Sequence, residues 1–282
     1  MIRSIAVCGA GTMGRGIAQV CASHNYPVIL FDLQPAVLKE AEKAIEETLK
    51  MLVSKNKLQA DQVHHILEQI RFTNQLFDCK ADLIIEAIIE KPDAKIALFK
   101  QLMQVNSAGT IFATNTSSLS VASIAVGCDH PQQVVGMHFF NPPTLMKLVE
   151  VVTTEFTDES VVKAIKDLSI ALGKTPVHCQ DAPGFIVNHV ARPYYLEALY
   201  LLESGMAEMA SIDNLLEATG FKMGPFRLMD LIGNDINYAV SCSLYDALDR
   251  PLRLKPSSIQ KAKVEKGELG KKSGKGYYLY SG

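Results

Sequence analysis

The stretch Ile5-Ala6-Val7-Cys8-Gly9-Ala10-Gly11-Thr12-Met13-Gly14 constrains the fold of this chain more than any other. An apolar run with the character of a buried strand empties into three glycines spaced G-x-G-x-x-G, and an apolar helical pattern (Ile17, Ala18, Val20, Cys21) follows at once. Gly9 allows a tight turn, Gly11 lets backbone approach a pyrophosphate, and Gly14 lets the helix pack close on the strand. The helix N-terminus then offers N–H groups and a partial positive charge to phosphates. The plain alternative is a structural turn between strand and helix. Against it stands Tyr26-Pro27-Val28-Ile29-Leu30-Phe31-Asp32, a second strand ending in an acid 18 residues past Gly14. A carboxylate at that spacing accepts hydrogen bonds from an adenosine ribose. The pattern predicts a dinucleotide site for NAD. Asp32 would repel a 2′-phosphate, and Leu33, Gln34 and Pro35 bring no arginine to accept one.

The rest of the chain extends this unit. Val37, Ala41, Ala44, Ile45, Leu49, Leu52 and Val53 predict a long amphipathic helix, with Lys50, Ser54 and Lys57 at i, i+4 and i+7 on one face. A further helix over about 60–69, strands near 81–87 and 110–114, and a helix from Pro92 to Met103 between them predict a parallel, doubly wound sheet. Strand-like runs at 134–140 and 147–152, a helix over about 158–172 closing on Gly173 and a short strand at 175–178 finish it. Ala182-Pro183-Gly184 punctuates the chain, which predicts a Rossmann-type α/β domain over 1–183 and an all-helical domain over 184–282. The second domain reads as a helix over 185–204 bent at Pro193, a short helix capped by Ser211 and ending at Gly220, a helix over 235–248 and a last one around 261–267.

Composition excludes several classes of function. A net charge of −2 carries no footprint for nucleic acid or for an anionic membrane surface. No apolar run approaches the roughly 20 residues that span a bilayer. The six cysteines (Cys8, Cys21, Cys79, Cys128, Cys179, Cys242) show no C-x-x-C pair and read as small core residues of a reducing compartment. A cytoplasmic protein is expected, or an organelle protein in mature form. The histidines show no metal-ligand spacing, so no metal is proposed.

Candidate chemistry centres on His138, which ends one strand, and Glu150, which lies on the next across Asn141-Pro142-Pro143. If those strands fold back on one another the carboxylate can orient and charge the imidazole as a general base; otherwise the histidine is a core residue and the glutamate a surface one. Ser117 follows a strand's carboxyl end, where open α/β sheets bind ligands, although helix N-cap is the commoner role for such a serine. Asn188 lies in an apolar helix and must find a partner in the core or across a cleft. Asn141 is equally readable as a turn residue. Lys50, Ser54 and Lys57 read either as a phosphate clamp or as a solvated helix end.

These segments together resemble the L-3-hydroxyacyl-CoA dehydrogenases, and among them the short single-function bacterial 3-hydroxybutyryl-CoA dehydrogenases. The resemblance is carried by Gly9 to Gly14, Asn115-Thr116-Ser117-Ser118-Leu119, His138-Phe139-Phe140-Asn141-Pro142-Pro143 and Met146-Lys147-Leu148-Val149-Glu150-Val151. Pro183-Gly184-Phe185-Ile186-Val187-Asn188, Gly224-Pro225-Phe226, Asp230-Leu231-Ile232-Gly233 and Leu269 through Tyr278 continue it in order. It implies His138 as catalytic base, Glu150 as its partner, Ser117 and Asn188 on the substrate oxygen, and Asn141 in support. It implies Thr12, Met13, Glu90, Lys95 and Asn115 along the cofactor, Lys50, Ser54 and Lys57 on the nucleotide of CoA, and a homodimer formed through the helical domain. The implied reaction is reversible NAD-dependent oxidation of a 3-hydroxyacyl-CoA, with butyryl expected and adipyl or longer chains as the alternative. One departure that matters is His189, where the family commonly has arginine after the motif asparagine. Two rivals are weighed against this. A β-hydroxyacid or imine-type dehydrogenase would need a lysine or aspartate on the helix after the boundary, and 185–193 has no lysine. A non-catalytic NAD(H)-binding protein would not need the His138/Glu150 pair.

Overall fold

The protein is described by a computed structural model that covers residues 2–280. The chain divides into two compact units, Met1–Asp181 and Ala182–Gly282.

The first unit is built on one eight-stranded sheet. β1 (Ile5–Cys8) leads through the glycine turn into α1 (Thr12–Ser23), then β2 (Val28–Phe31), α2 (Pro35–Ser54), α3 (Ala60–Glu68) and β3 (Ile70–Thr73). The chain returns to the other side of β1 with β4 (Leu83–Glu86), α4 (Pro92–Met103), β5 (Ile111–Thr114), α5 (Val121–Val126) and β6 (Val134–Phe139). β7 (Leu148–Thr153), α6 (Glu159–Ala171) and β8 (Thr175–Gln180) complete it, in the order β3-β2-β1-β4-β5-β6-β7-β8. The first six strands are parallel, whereas β7 runs against β6 and carries β8 parallel to itself. The sheet is therefore mixed rather than parallel throughout. The connection 140–147 has too few residues for a parallel crossover, which takes about a dozen or more, so β7 has to fold back.

β1, β4 and β5 are buried along their whole length, as strands covered on both faces must be. On one face lies a core in which Ile17, Ala18 and Cys21 of α1 and Leu38, Ala41, Ile45 and Leu49 of α2 pack on Ile5, Val7, Leu30 and Ile85. Buried positions on α2 recur every three or four residues, and Pro35 opens the helix where its missing N–H costs nothing. Of the six cysteines four are buried, but Cys179 and Cys242 are half-buried, so these two are not core residues.

The second unit is helical: α7 (Val187–Glu203), α8 (Met209–Ala218), α9 (Pro225–Ile232), α10 (Asn234–Ala247) and α11 (Ser258–Glu265). Its core gathers Tyr195, Leu196, Leu199, Ile212, Phe226, Met229 and Tyr277. α8 begins two residues before the expected cap. The chain leaves its extended conformation at Glu208, so Ser211 lies inside the first turn and caps nothing. Two fully buried carboxylates organise the rest. Asp213 accepts the Phe226 and Arg227 amides at 2.9 and 3.2 Å and thereby caps α9. Asp230 accepts the amides of Tyr277 and Tyr278, both at 2.9 Å, and the Tyr280 hydroxyl at 3.0 Å, which fastens the C-terminal tail. Among the described residues, no helix is long and apolar enough to cross a membrane.

Candidate active site

The strand order reverses between β1 and β4, and the crevice beyond the strands' carboxyl ends at such a point is where open α/β sheets take ligands. The glycine turn sits there. Gly9 has φ +101°, and a Cβ on it would stand 2.5 Å from the Ala87 carbonyl oxygen at the end of β4. A Cβ on Gly14 would run into the Gly9 carbonyl oxygen, so α1 comes as close to the turn as backbone allows. At Gly11 a Cβ would meet nothing within 4 Å. Two glycines thus shape the turn, and the third keeps its outer side open to an approaching ligand. α1 starts from Gly11 with no side-chain cap and no acid in its first turn, which suits an anion at its N-terminus. Asp32 follows β2 directly; one carboxylate oxygen accepts the Ala10 amide at 2.9 Å and the other the Gln34 amide at 3.0 Å.

Two strands away from the switch point the antiparallel register of β6 and β7 places His138 opposite Glu150. Their side chains meet, Nδ1 to carboxylate oxygen, at 2.7 Å. His138 is 5% exposed and Glu150 not at all, so the pair is shielded from water and its hydrogen bond has little competition from solvent. Asn115, at the end of β5, accepts the Phe139 amide through Oδ1 at 2.8 Å and so ties β5 to β6 beside the histidine. The loop leaving β6 is held from below: the Lys174 ammonium donates to the carbonyls of Pro143 and Met146 at 2.5 and 2.9 Å. Pro143 in turn abuts Gly16 of α1, where an added Cβ would lie 3.0 Å from its ring. The histidine strand, its exit loop and the first helix therefore form one packed piece.

Beyond this geometry, both units of the chain match a known family. Residues 4–182 match the 3-hydroxyacyl-CoA dehydrogenase NAD binding domain, and residues 184–280 the 3-hydroxyacyl-CoA dehydrogenase C-terminal domain. The chain belongs to the 3-hydroxyacyl-CoA dehydrogenase family. It is 45% identical over 279 residues to a 3-hydroxyadipyl-CoA dehydrogenase of Escherichia coli, an alignment that covers 98% of this chain and 59% of that protein. Among solved structures, a 3-hydroxybutyryl-CoA dehydrogenase from Escherichia coli K12 superposes with a TM-score of 0.96 at 44% identity, covering 99% of this chain and 60% of the other. An (S)-3-hydroxybutyryl-CoA dehydrogenase from Ralstonia eutropha gives a TM-score of 0.95 at 34% identity, with both chains covered completely.

The NAD-binding domain of this 3-hydroxyacyl-CoA dehydrogenase family member also holds Ser117 on a segment fastened by acids. Ser117 is not a helix cap. That role falls to Ser120, whose hydroxyl accepts the Ser123 amide at 3.1 Å and donates to Asp181 at 2.7 Å. The Ser117 amide instead donates to Glu90 at 3.0 Å, and the same carboxylate oxygen accepts the Thr116 hydroxyl at 2.5 Å. Burial alone would raise the Glu90 carboxyl, but the Lys95 ammonium and these hydrogen bonds outweigh it and hold the group below the usual carboxylate range. Lys95 is itself enclosed, 1% exposed, and reaches Glu86 at 2.6 Å and Glu90 at 3.1 Å. Glu86, Lys174 and Asp181 were not expected from the sequence; each acts through partners that are near only once the sheet has formed.

The expected cationic face on α2 is incomplete. The helix ends at Ser54, and Asn56 takes φ +53°, so Lys57 lies beyond the helix and not one turn further along it. Lys50 is paired with Glu46 at 2.6 Å, and the Ser54 hydroxyl donates to the Met51 carbonyl at 2.9 Å. In the second unit Asn188 occupies the first turn of α7. One turn on, Arg192 donates through Nε to the Asn188 carbonyl at 3.1 Å and through Nη1 to Asn237 and Ser241. Burial pushes the Arg192 guanidinium down to about 10, which leaves it charged at neutral pH. The His189 ring pairs with the Pro183 carbonyl at 3.1 Å, so it braces the linker.

Proposed function

We propose that this protein is an NAD-dependent 3-hydroxyacyl-CoA dehydrogenase acting reversibly on a short (S)-3-hydroxyacyl-CoA, with 3-hydroxybutyryl-CoA the preferred substrate. The reading rests on the buried His138–Glu150 pair at 2.7 Å on the sheet that also carries the open glycine turn. His138 is the general base. Glu150 engages Nδ1, fixes the ring and stabilises the imidazolium, while Nε2 exchanges the proton of the C3 hydroxyl. Ser117 and Asn188 orient that oxygen, with Asn141 in support. Gly9, Gly11, Thr12, Met13 and Gly14 cradle the pyrophosphate of NAD, Asp32 takes the adenosine ribose, and Glu90, Lys95 and Asn115 border the rest. Bound NAD supplies the hydride chemistry. Lys50, Ser54 and Lys57 serve the CoA nucleotide, far from the reacting carbon, where remote binding energy positions it.

The partner is a second copy of the chain through the helical unit, which leaves Val190, Tyr200 and Leu252 from 60 to 85% exposed. A reducing compartment, the cytoplasm, is inferred from six free thiols. A second substrate reading is kept because one relative is a 3-hydroxyadipyl-CoA dehydrogenase. Turnover of NADH with acetoacetyl-CoA, with longer 3-oxoacyl-CoAs and with 3-oxoadipyl-CoA tests both. The highest kcat/KM on acetoacetyl-CoA is expected. Highest efficiency on the dicarboxylic substrate selects the second reading, and no turnover on any overturns the proposal.

A further inference from the structure

Glu86 ends β4 at the switch point, and no solvent reaches it. Both of its oxygens are engaged. Oε1 accepts the Lys95 ammonium at 2.6 Å and the Ile88 amide at 2.7 Å, while Oε2 accepts the Thr114 hydroxyl at 2.7 Å. A carboxylate placed so deep is costly unless it is paired and hydrogen-bonded in this way, and apolar atoms would fill the same volume at lower cost. What the charge accomplishes shows on the far side of Lys95. The same ammonium reaches Glu90 at 3.1 Å, and Glu90 accepts the Thr116 hydroxyl, the Ser117 amide and, at 3.3 Å, the Ser118 hydroxyl. The Thr116 hydroxyl then accepts the amides of Ser118 and Leu119 at 3.4 and 3.0 Å. A continuous line of charged and hydrogen-bonded contacts thus runs from the centre of the sheet to the segment that carries Ser117. Glu86 and Glu90 share the ammonium, and the contact to Glu86 is the shorter.

We propose that Glu86 is a positioning residue for the reaction: through Lys95 and Glu90 it fixes the segment 116–119 and with it Ser117. This rests on the dehydrogenase reading above for its link to turnover, and on the geometry alone for the hold on the segment. Asn115 is anchored separately through its own amide to the Glu86 carbonyl at 2.8 Å, a bond that a side-chain change at 86 leaves in place.

The test is E86Q, which keeps the shape of the side chain and removes its charge. Hydrogen exchange of the peptide 115–120 is expected to quicken at least about tenfold, with 134–140 unchanged, since local opening follows the loss of the contacts that close it. With acetoacetyl-CoA, kcat is expected to fall by about tenfold with KM little changed, the scale on which misplacing a positioning group acts. S117A should cost much less in the E86Q background than in the wild type, because the serine is already displaced. Should E86Q not fold, E86D keeps the charge but draws the carboxylate back by one methylene from Lys95, and is expected to shift exchange and kcat in the same direction by about threefold. Unchanged exchange at 115–120, or an S117A penalty equal in both backgrounds, overturns the proposal. If the wild-type protein turns over no 3-oxoacyl-CoA, the dehydrogenase reading fails, while the exchange measurement still decides whether Glu86 holds the segment.

Discussion

Replacing His138 by glutamine removes the proposed general base and leaves Glu150 without its imidazole partner. The expected result is a fall in kcat of at least about a hundredfold at unchanged NADH affinity, the usual weight of a general base. A loss below tenfold in steady-state turnover contradicts the assignment. At Asp32 two roles separate. D32A loses both the proposed ribose acceptor and the hold on the Ala10 amide, whereas D32N retains an oxygen for that amide and sheds only the charge. NADH should bind more weakly to both, and discrimination against NADPH should relax in both; unchanged NADH/NADPH ratios in fluorescence titrations speak against the ribose role. How legible these residues are in the sequence follows from what places them. His138 and Glu150 can be paired from the sequence because a short proline break joins two strand-like runs, leaving the antiparallel register as the choice between a site and two unrelated residues. Glu86, Lys174 and Asp181 cannot, since they meet partners 28 to 61 positions away only in the fold. Lys57 departs from its helical spacing to Lys50 for a local reason: the helix ends at Ser54 and Asn56 turns the chain away.

Elements repeat this division between local and distant causes. The strand–glycine–helix unit is legible because every constraint on it is backbone geometry within a few residues. The reversal of β7 and β8 is legible only from the shortness of the loop before them. The true start of α8 is not, because an extended residue at 208 rather than a capping side chain decides it. The glycine turn also allows its two tasks to be measured apart. In G14A the new Cβ meets the Gly9 carbonyl, a backbone atom that cannot step aside, so thermal stability should fall by several degrees with or without cofactor. In G11A the Cβ enters open space, so Tm of the apoprotein should stay within about a degree while NADH affinity drops about tenfold or more. Equal effects of the two substitutions on both readouts would mean that the turn has no ligand-facing side.

At the level of the whole molecule, stability against acid is set by carboxylates that are ionised and partnered in the fold. Glu90 in the first unit, and Glu203 and Glu217 in the second, all lie below the usual range. Glu268 goes furthest. Its bonds to Lys275 and Lys263, at 2.6 and 3.0 Å, bring it from an ordinary 4.5 down to about 2. Lys263 also donates to the Gly276 carbonyl at 2.7 Å, so this cluster clips the C-terminal tail to α11 while Asp230 fastens it to α9. A carboxylate whose folded value is depressed binds fewer protons in the native than in the unfolded chain. Its contribution is therefore complete above the unfolded value near 4.5 and is lost as the pH falls towards 2. In E268Q that contribution is absent at every pH. The variant should melt below the wild type at pH 7, keep the same deficit down to pH 5, and converge on the wild-type curve between pH 4 and pH 2 as the wild-type group takes up its proton. The melting difference, followed by far-UV circular dichroism across that series at low ionic strength, checks the sign directly. A gap that stays constant to pH 2 would assign the loss to packing of the tail rather than to charge, and raising the salt at pH 7 separates the two in the same way, because only the charged cluster is screened.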